Sequence, residues 1–215
     1  MATSQLPLAD DLYLCAHDSS RGRCLLTPAT LGLGLSAALL GELVLWRRLD
    51  LRDNHITVID DRGTGDPATT AVLDQLMRES HHRRLRDWIA FLATGVATEL
   101  VERRLARAGL VRREEKRGLL GTKVRFVPTD DSVTGWPGTR IRIAATRGEL
   151  LDGPDLVLAG LVLATGLDQH VLVTLDARER DHLFDQLRRR MPAMLQHLVG
   201  HAEAAVGDAV MARRA

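Results

Sequence analysis

The feature that most constrains the fold is an apolar run from Leu31 to Trp46, interrupted by a single charge, Glu42. Thr27 followed by Pro28 predicts where this helix starts, because a threonine hydroxyl caps free backbone N–H groups and proline suits the first helical position. The run is shorter than the ~18 uncharged apolar residues that a membrane-spanning helix needs. The sequence therefore predicts a helix buried in the core of a soluble protein.

The remaining patterns are mostly helical. Apolar residues at helical spacing predict further helices over 6–17, 68–80, 83–94, 98–108, 154–165 and 176–191, a turn and then a helix over 136–151, and a last helix after Pro192. Alternating patterns predict two β-hairpins, over 48–59 and 110–127. No internal repeat divides the chain. We expect a mainly α fold with two small β-hairpins, in a single domain spanning residues 1–215.

Composition limits the partners and the cellular location. The formal net charge of +1 excludes global attraction to nucleic acid or anionic lipid, so such a partner must bind a local patch. Cys15 and Cys24 lack CxxC spacing and are expected to be reduced, largely buried thiols. The first residues lack the basic and apolar regions of a signal peptide. We therefore expect a cytoplasmic location.

No catalytic, metal or cofactor motif stands out. The histidine pair His197 and His201 lacks the glutamate of HExxH, and His81 and His82 are adjacent and point apart on a helix. The glycines of 32–34 lie inside the apolar run, without the strand and third glycine of a dinucleotide-binding motif. No serine lies in a GxSxG motif. We expect no metal, no cofactor and no enzymatic activity.

The most informative segment for function runs from 99 to 129. It combines nine basic residues with four acidic ones, a local net charge of +5; the basic residues are Arg103, Arg104, Arg107, Arg112, Arg113, Lys116, Arg117, Lys123 and Arg125. The three helical arginines are expected on the outer side of the 98–108 helix. A glycine-flanked loop over 118–121 is predicted to join the two strands, and its tip, Leu119 and Leu120, is apolar.

This segment is compatible with three interpretations. It forms a surface for anionic lipid, with Leu119 and Leu120 entering the bilayer. Alternatively it is a winged-helix DNA-binding regulator, in which the Thr98–Ala108 helix reads DNA and the hairpin is the wing. The third interpretation is a solvated helix and an edge hairpin kept soluble by charge. The apolar tip favours lipid, and nucleic acid is the less expected partner.

Several blocks of sequence occur in a known order and spacing. They are LADDLYLCAHD over 8–18, GLSAALLGELVLWRRLDL over 34–51, TGD over 64–66 followed by VLDQL, DWI over 87–89 and ERRLARAGLVRREEKRGLLGTKVRFVPTD over 102–130. Together they resemble the Golgi phosphoprotein 3 domain family. The resemblance implies a central helical bundle wrapped by amphipathic helices, with a protruding hairpin used for membrane contact and self-association.

The resemblance also implies a function. Eukaryotic members of the family are peripheral membrane proteins that bind phosphatidylinositol 4-phosphate and act as adaptors for Golgi enzymes. We therefore expect a cytoplasmic protein on the inner face of the membrane, bound to anionic lipid such as a phosphoinositide, with a protein client and self-association to homo-oligomers. The hairpin residues expected to make the membrane or self-association contacts are Arg117, Leu119, Leu120, Lys123 and Arg125.

The expected lipid head-group site differs from the eukaryotic one. An ungapped comparison places Thr27, Ser36, Gly95 and Thr98 where eukaryotic members have a head-group tryptophan and three arginines. Nearby arginines are then the expected phosphate contacts, because guanidinium groups bind phosphate in a bidentate manner. These residues are Arg21, Arg23, Arg103 and Arg104.

Overall fold

A computed structural model describes residues 5–18, 22–79, 84–118 and 121–213. These residues form ten helices and two antiparallel hairpins, which confirms the prediction of a mainly α fold. The helices are α1 (Leu8–Cys15), α2 (Pro28–Leu45), α3 (Pro67–Arg78), α4 (Leu85–Leu92), α5 (Val96–Arg107), α6 (Asp131–Arg147), α7 (Gly153–Ala164), α8 (Asp168–Val171), α9 (Ala177–Arg190) and α10 (Ala193–Ala212). The hairpins pair β1 (Leu49–Arg52) with β2 (His55–Val58), and β3 (Val111–Gly118) with β4 (Gly121–Pro128).

Helix α2 is the centre of the fold. Thr27 caps it by accepting a hydrogen bond from the Thr30 amide at 3.2 Å. By length and composition α2 resembles a membrane span, but helices α1, α3, α4, α5, α7 and α10 enclose it, and only three of its 18 residues are not buried. Gly32 allows one of these contacts, because a Cβ there would lie 2.7 Å from the Ala93 carbonyl oxygen. The apolar run is thus a core helix, as its sequence predicts.

Two elements differ from the sequence-based expectation. Strands β3 and β4 stay paired as far as Gly118 and Gly121, so two residues lie between them instead of a four-residue loop. Those two, Leu119 and Leu120, fall outside the described residues. Helix α6 begins at Asp131 and contains Pro137, whereas the sequence suggested a turn near 136. A proline within the first turns breaks one helical hydrogen bond without ending the helix.

Arg104 is buried in the core, which corrects the prediction that it lies on the outer side of α5. Its exposed fraction is 8%. Its Nε donates to Asp10 Oδ1 at 2.8 Å, and its two terminal nitrogens each donate to Glu42 at 2.9 Å. Nη1 also donates to Asp66 at 3.0 Å. Arginine tolerates this position because three carboxylates compensate the loss of hydration.

These ion pairs join elements that are distant in sequence. Asp10 lies on α1, Glu42 on α2, and Asp66 caps α3 by accepting the Thr69 amide at 2.8 Å. A second group lies nearby, where Arg140 of α6 donates to Asp11 at 2.7 Å and to Asp155 of α7 at 2.8 Å. The two arginines thus connect six elements around the core.

The buried carboxylates outnumber the arginines, so some of these carboxyl groups keep a proton at a higher pH than usual. Burial raises the pKa of Asp10 to about 7, although Arg104 beside it acts in the opposite direction. Burial likewise raises the pKa of Asp11 to about 6 and the pKa of Glu42 above its usual range. The core therefore binds protons near neutral pH that the unfolded chain would release.

We predict that Arg104→Met destabilises the fold strongly. The change leaves the buried Asp10 and Glu42 and the partly buried Asp66 without their cation, and breaking a buried ion pair in this way typically costs about 3–5 kcal/mol. Arg103→Met is the matched control, because Arg103 is exposed and, among the described residues, pairs with Glu99 one turn earlier, an interaction worth about 0.3–0.5 kcal/mol. Urea unfolding of both variants measures the difference. Equal stability of the two variants would contradict the role of Arg104.

We also predict that Asp10 makes stability fall as pH rises. The folded pKa of about 7 exceeds the ordinary value, so the stabilising proton is fully bound below that ordinary value and is lost as pH passes through 7. Between pH 5.5 and 8 this contributes on the order of 1–2 kcal/mol. Asp10→Asn resembles the protonated acid. It should remove the contribution of Asp10 to the slope of the free energy of unfolding against pH, while Arg104, Glu42 and Asp66 remain.

The comparison between parent and variant isolates Asp10. His17 and His201 have lowered pKa values, so their effect on stability has the opposite sign over part of this range. Both histidines are present in both proteins, and their contribution cancels. Urea unfolding at four pH values gives the two slopes. A slope unchanged by Asp10→Asn would show that the Asp10 proton is not coupled to folding.

Candidate functional site

The register of the second hairpin places most of its basic residues on one side. Residues opposite each other in an antiparallel pair share a face. Arg112 is opposite Val127, Glu114 opposite Arg125, and Lys116 opposite Lys123. We call this side the basic face: Arg112, Glu114, Lys116, Lys123 and Arg125. Four basic residues and one acidic residue give it a net charge of +3.

Glu114 lies at the centre of the basic face. Its carboxylate accepts hydrogen bonds from Arg125 Nη2 at 2.8 Å and from Arg112 Nη2 at 2.9 Å. The two arginines lower the pKa of Glu114, so it is ionised at neutral pH. Further along the strands the backbone register pairs Lys116 with Lys123.

Gly22 packs against the base of the basic face. A Cβ on Gly22 would lie 2.4 Å from Val127 Cγ1, so only glycine permits this approach, and its φ of 55° also favours glycine. His17 and Cys24 form an antiparallel bridge across the segment. Arg23 is exposed here. Arg23 therefore follows directly after the glycine that contacts Val127 of β4.

Helix α1 holds the hairpin in place. The Tyr13 hydroxyl lies 3.1 Å from Glu102 Oε1 of α5 and 3.2 Å from the Phe126 carbonyl oxygen of β4. Tyr13 is buried, with 1% of its surface exposed. At the base of the hairpin Val111 and Val127 are buried on opposite faces. The basic face therefore projects from a base that is anchored on both sides.

The residues predicted from sequence divide into four groups. Arg23, Arg103 and Arg125 are described, and Arg103 is exposed and paired with Glu99. Arg104 is occupied by its three carboxylates and does not join the surface group. Arg21, Leu119 and Leu120 fall outside the described residues, and the structure describes the backbone but not the side chains of Arg117 and Lys123.

Arg117 does not share the basic face. By register it is opposite Thr122, on the side that also carries Val124 and Phe126. Arg113 and Glu115 form a 2.9 Å ion pair on that second side, and Val124 is 41% exposed. The hairpin therefore has one strongly basic side and one mixed side with apolar residues on β4.

Three of the four positions aligned with the eukaryotic head-group site have structural roles here. Thr27 caps α2, and Ser36 is completely buried and donates to the Gly32 carbonyl oxygen at 2.7 Å. Gly95 has a φ of 121° at the start of α5, which suits glycine. These residues support the fold of α2 and α5, so a head group in this chain needs other contacts.

Sequence reasoning missed the carboxylates that bind Arg104. Asp10, Glu42 and Asp66 are far apart in the chain and follow no common motif. One signal was present: Glu42 is the single charge in the apolar run, and a buried carboxylate needs a buried cation. The cation itself could not be identified, because Arg104 has two arginine neighbours of the same type in the helix, Arg103 and Arg107.

Comparison with known proteins supports the resemblance noted from the sequence. A search of curated proteins found no match. The family model described as Golgi phosphoprotein 3 (GPP34) matches residues 8–212, which is nearly the whole 215-residue chain. It covers all ten helices and both hairpins described above. The chain therefore belongs to the Golgi phosphoprotein 3 (GPP34) family.

Proposed function

We propose that this chain is a non-catalytic peripheral membrane protein that binds anionic lipid through the basic face of its second hairpin. The observation that carries the proposal is the register of β3 and β4, which groups four basic residues on one side and leaves Leu119 and Leu120 between the last paired residues. A charged side and an apolar tip suit the interface between phosphate groups and acyl chains.

The expected strength is that of reversible attachment. Each basic residue near an anionic surface contributes about 1 kcal/mol, so the net charge of the basic face contributes about 3 kcal/mol. Two leucines add about 1.5–3 kcal/mol each if they are fully buried in the bilayer. Neither the charge nor the tip alone suffices for stable attachment, so both are required.

The proposal includes partners that family membership suggests. On the cytoplasmic face of a membrane, the protein would recruit a protein client as an adaptor and would self-associate through the hairpin. Phosphoinositide is the head group of the eukaryotic members. Because Ser36 is buried and the other three aligned positions are not arginine or tryptophan, we propose that general attraction to anionic lipid makes the largest contribution to membrane binding.

The winged-helix alternative loses part of its basis. It requires the Thr98–Ala108 helix to present its arginines to DNA, but Arg104 is buried and Arg103 pairs with Glu99. The helix also packs against α1, α2, α3 and α4. Duplex DNA is therefore the competing ligand in the vesicle-binding experiment.

Replacing both tip leucines by aspartate should reduce membrane binding. Leu119→Asp/Leu120→Asp removes the apolar contribution and adds two negative charges, so we expect at least tenfold weaker co-sedimentation with vesicles of 30 mol% phosphatidylglycerol in phosphatidylcholine. Ile59→Asp/Leu150→Asp is the matched control, because it makes the same change at two exposed residues, 60% and 64% accessible. The control should bind like the parent.

The outcomes separate the alternatives. Equal binding by the tip variant and the parent would reject insertion of the tip. Failure of the parent to sediment with anionic vesicles, together with salt-dependent binding to duplex DNA, would reject the membrane proposal in favour of the DNA-binding alternative.

A second prediction concerns Glu114. Glu114→Gln removes the one negative charge of the basic face and releases Arg112 and Arg125, so binding to the same vesicles should become about fivefold tighter, the equivalent of about 1 kcal/mol. The gain should shrink at high salt, because ions screen exposed charges. Glu149→Gln changes the net charge equally at an exposed site and serves as the control. A similar gain in both variants would show that total charge, not the basic face, governs binding.

A further inference from the structure

Tyr13, the only tyrosine of the chain, lies between two hydrogen-bond acceptors. Its hydroxyl is 3.1 Å from Glu102 Oε1 of α5 and 3.2 Å from the carbonyl oxygen of Phe126 in β4. A phenol has one O–H group, so it donates to one of the two oxygens at a time, whereas its own oxygen can also accept. The nearly equal distances allow either bond, so the chemistry of the two acceptors decides which one forms.

The carbonyl group of Phe126 lies outside the hydrogen-bond ladder of the second hairpin. The Thr129 amide donates to the Leu110 carbonyl oxygen at 3.0 Å, and these two residues are opposite each other in the register of β3 and β4. Bonded and non-bonded pairs alternate along an antiparallel ladder, so the pair of Arg113 and Phe126, three places further, is non-bonded. Pro128, which has no amide hydrogen, falls in the same class. The Phe126 carbonyl thus points away from β3, towards the Tyr13 hydroxyl.

Glu102 is a partly buried carboxyl group that has no cation beside it in the described part of the chain. Its side chain bonds to Tyr13 there and makes no ion pair. Burial raises the pKa of Glu102 above its ordinary value, although the hydrogen bond from Tyr13 acts in the opposite direction. The exposed Glu99 one turn earlier raises the pKa further. Glu102 therefore ionises at a higher pH than an exposed glutamate does.

The two forms of Glu102 impose different hydrogen bonds on Tyr13. An ionised carboxylate can only accept, so it takes the Tyr13 proton and leaves the Phe126 carbonyl oxygen without this donor. A protonated carboxyl group can donate to the Tyr13 oxygen, and the Tyr13 O–H then donates to Phe126. In the protonated form the hydrogen bonds run without a break from α5 through α1 to β4.

We propose that Glu102, Tyr13 and the Phe126 carbonyl form a proton-operated latch: protonation of Glu102 lets Tyr13 bind β4 to α1, and ionisation of Glu102 breaks this bond. The latch closes as pH falls and opens as pH rises. Because β4 also carries Lys123 and Arg125, the latch controls how firmly the basic face is held on the rest of the protein. It operates within the folded chain and does not depend on the proposed membrane attachment.

The other titratable groups around Tyr13 act differently. His17 stacks on the Tyr13 ring, with centroids 4.4 Å apart. Burial and the nearby Arg125 of β4 lower the pKa of His17, although its hydrogen bond to the Tyr13 carbonyl oxygen acts in the opposite direction. Burial raises the pKa of Cys24 and of Tyr13 itself, so both keep their protons while Glu102 ionises. Of these groups, His17 shares the pH range of Glu102, and a variant of Glu102 separates the two.

The single tyrosine makes the latch measurable by NMR. In protein labelled with carbon-13 at the tyrosine Cζ, one signal reports the hydrogen bonds of the hydroxyl. Between pH 4 and 8 we expect a step in the parent that Glu102→Gln lacks, because glutamine resembles the protonated acid and donates to Tyr13. Glu99→Gln is the matched control, since Glu99 is exposed and pairs with Arg103. The control should keep the step at a slightly lower pH, because it removes a neighbouring negative charge.

The tyrosine signal also gives the results that would contradict the latch. If Glu102→Gln shows the same titration curve as the parent, the change belongs to His17 and the latch is overturned. A parent signal without any step over this pH range overturns it as well.

A second label tests the bond to β4. The chain has three phenylalanines, so carbonyl-labelled phenylalanine gives three signals, and those of the helical Phe91 and Phe184 are internal references. The Phe126 signal should move upfield as pH rises, with the same midpoint as the tyrosine signal, because its carbonyl loses a donor. It should stay at the low-pH position in Glu102→Gln and at the high-pH position in Tyr13→Phe. A Phe126 signal that does not move in the parent, or that still moves in Tyr13→Phe, would overturn the latch. Circular dichroism verifies that both variants fold, and Glu102→Gln decides by itself if Tyr13→Phe does not.

Discussion

The buried ion pairs of Arg104 are the interaction on which the arrangement of the functional surface depends. One guanidinium satisfies carboxylates from α1, α2 and the start of α3. A buried charge without its partners is costly, so these elements are restrained to one relative position. Because Arg104 lies on α5, and α5 leads directly into β3, the same restraint fixes the point from which the hairpin projects.

Helix α1 transmits this restraint to the surface. Asp10 and Tyr13 are three residues apart, which places them along one side of α1, and His17 follows two residues after the helix ends. Asp10 binds Arg104, and Tyr13 reaches Glu102 and β4. Asp11, on the neighbouring side of the helix, binds Arg140 of α6. One helix of eight residues thus connects the buried ion pairs to the base of the second hairpin.

The sequence predicts local structure better than it predicts the sites. Helix α2, its cap at Thr27 and both hairpins follow from patterns within short segments, where hydrophobic spacing and turn residues decide. Arg104 was misplaced because a helical pattern identifies a buried stripe but not its width, and arginine is normally excluded from it. A surface cleft lined by Cys15, Gly138 and Val171 joins residues from α1, α6 and α8 that share no motif. Helix α8 itself, with four residues, is too short to show a period.

The acidic and basic residues are distributed unequally between the buried ion pairs and the rest of the chain. The two groups of buried ion pairs contain five carboxylates and two arginines, a formal charge of −3 when all are ionised. Since the whole chain carries +1, the remaining residues carry +4. At long range the molecule still acts with its total charge of +1, which agrees with the expectation that composition excludes a global attraction to anionic surfaces. The separation of charge matters at short range, because the acidic excess lies in the two buried groups and an anionic partner at the basic face meets the basic excess first.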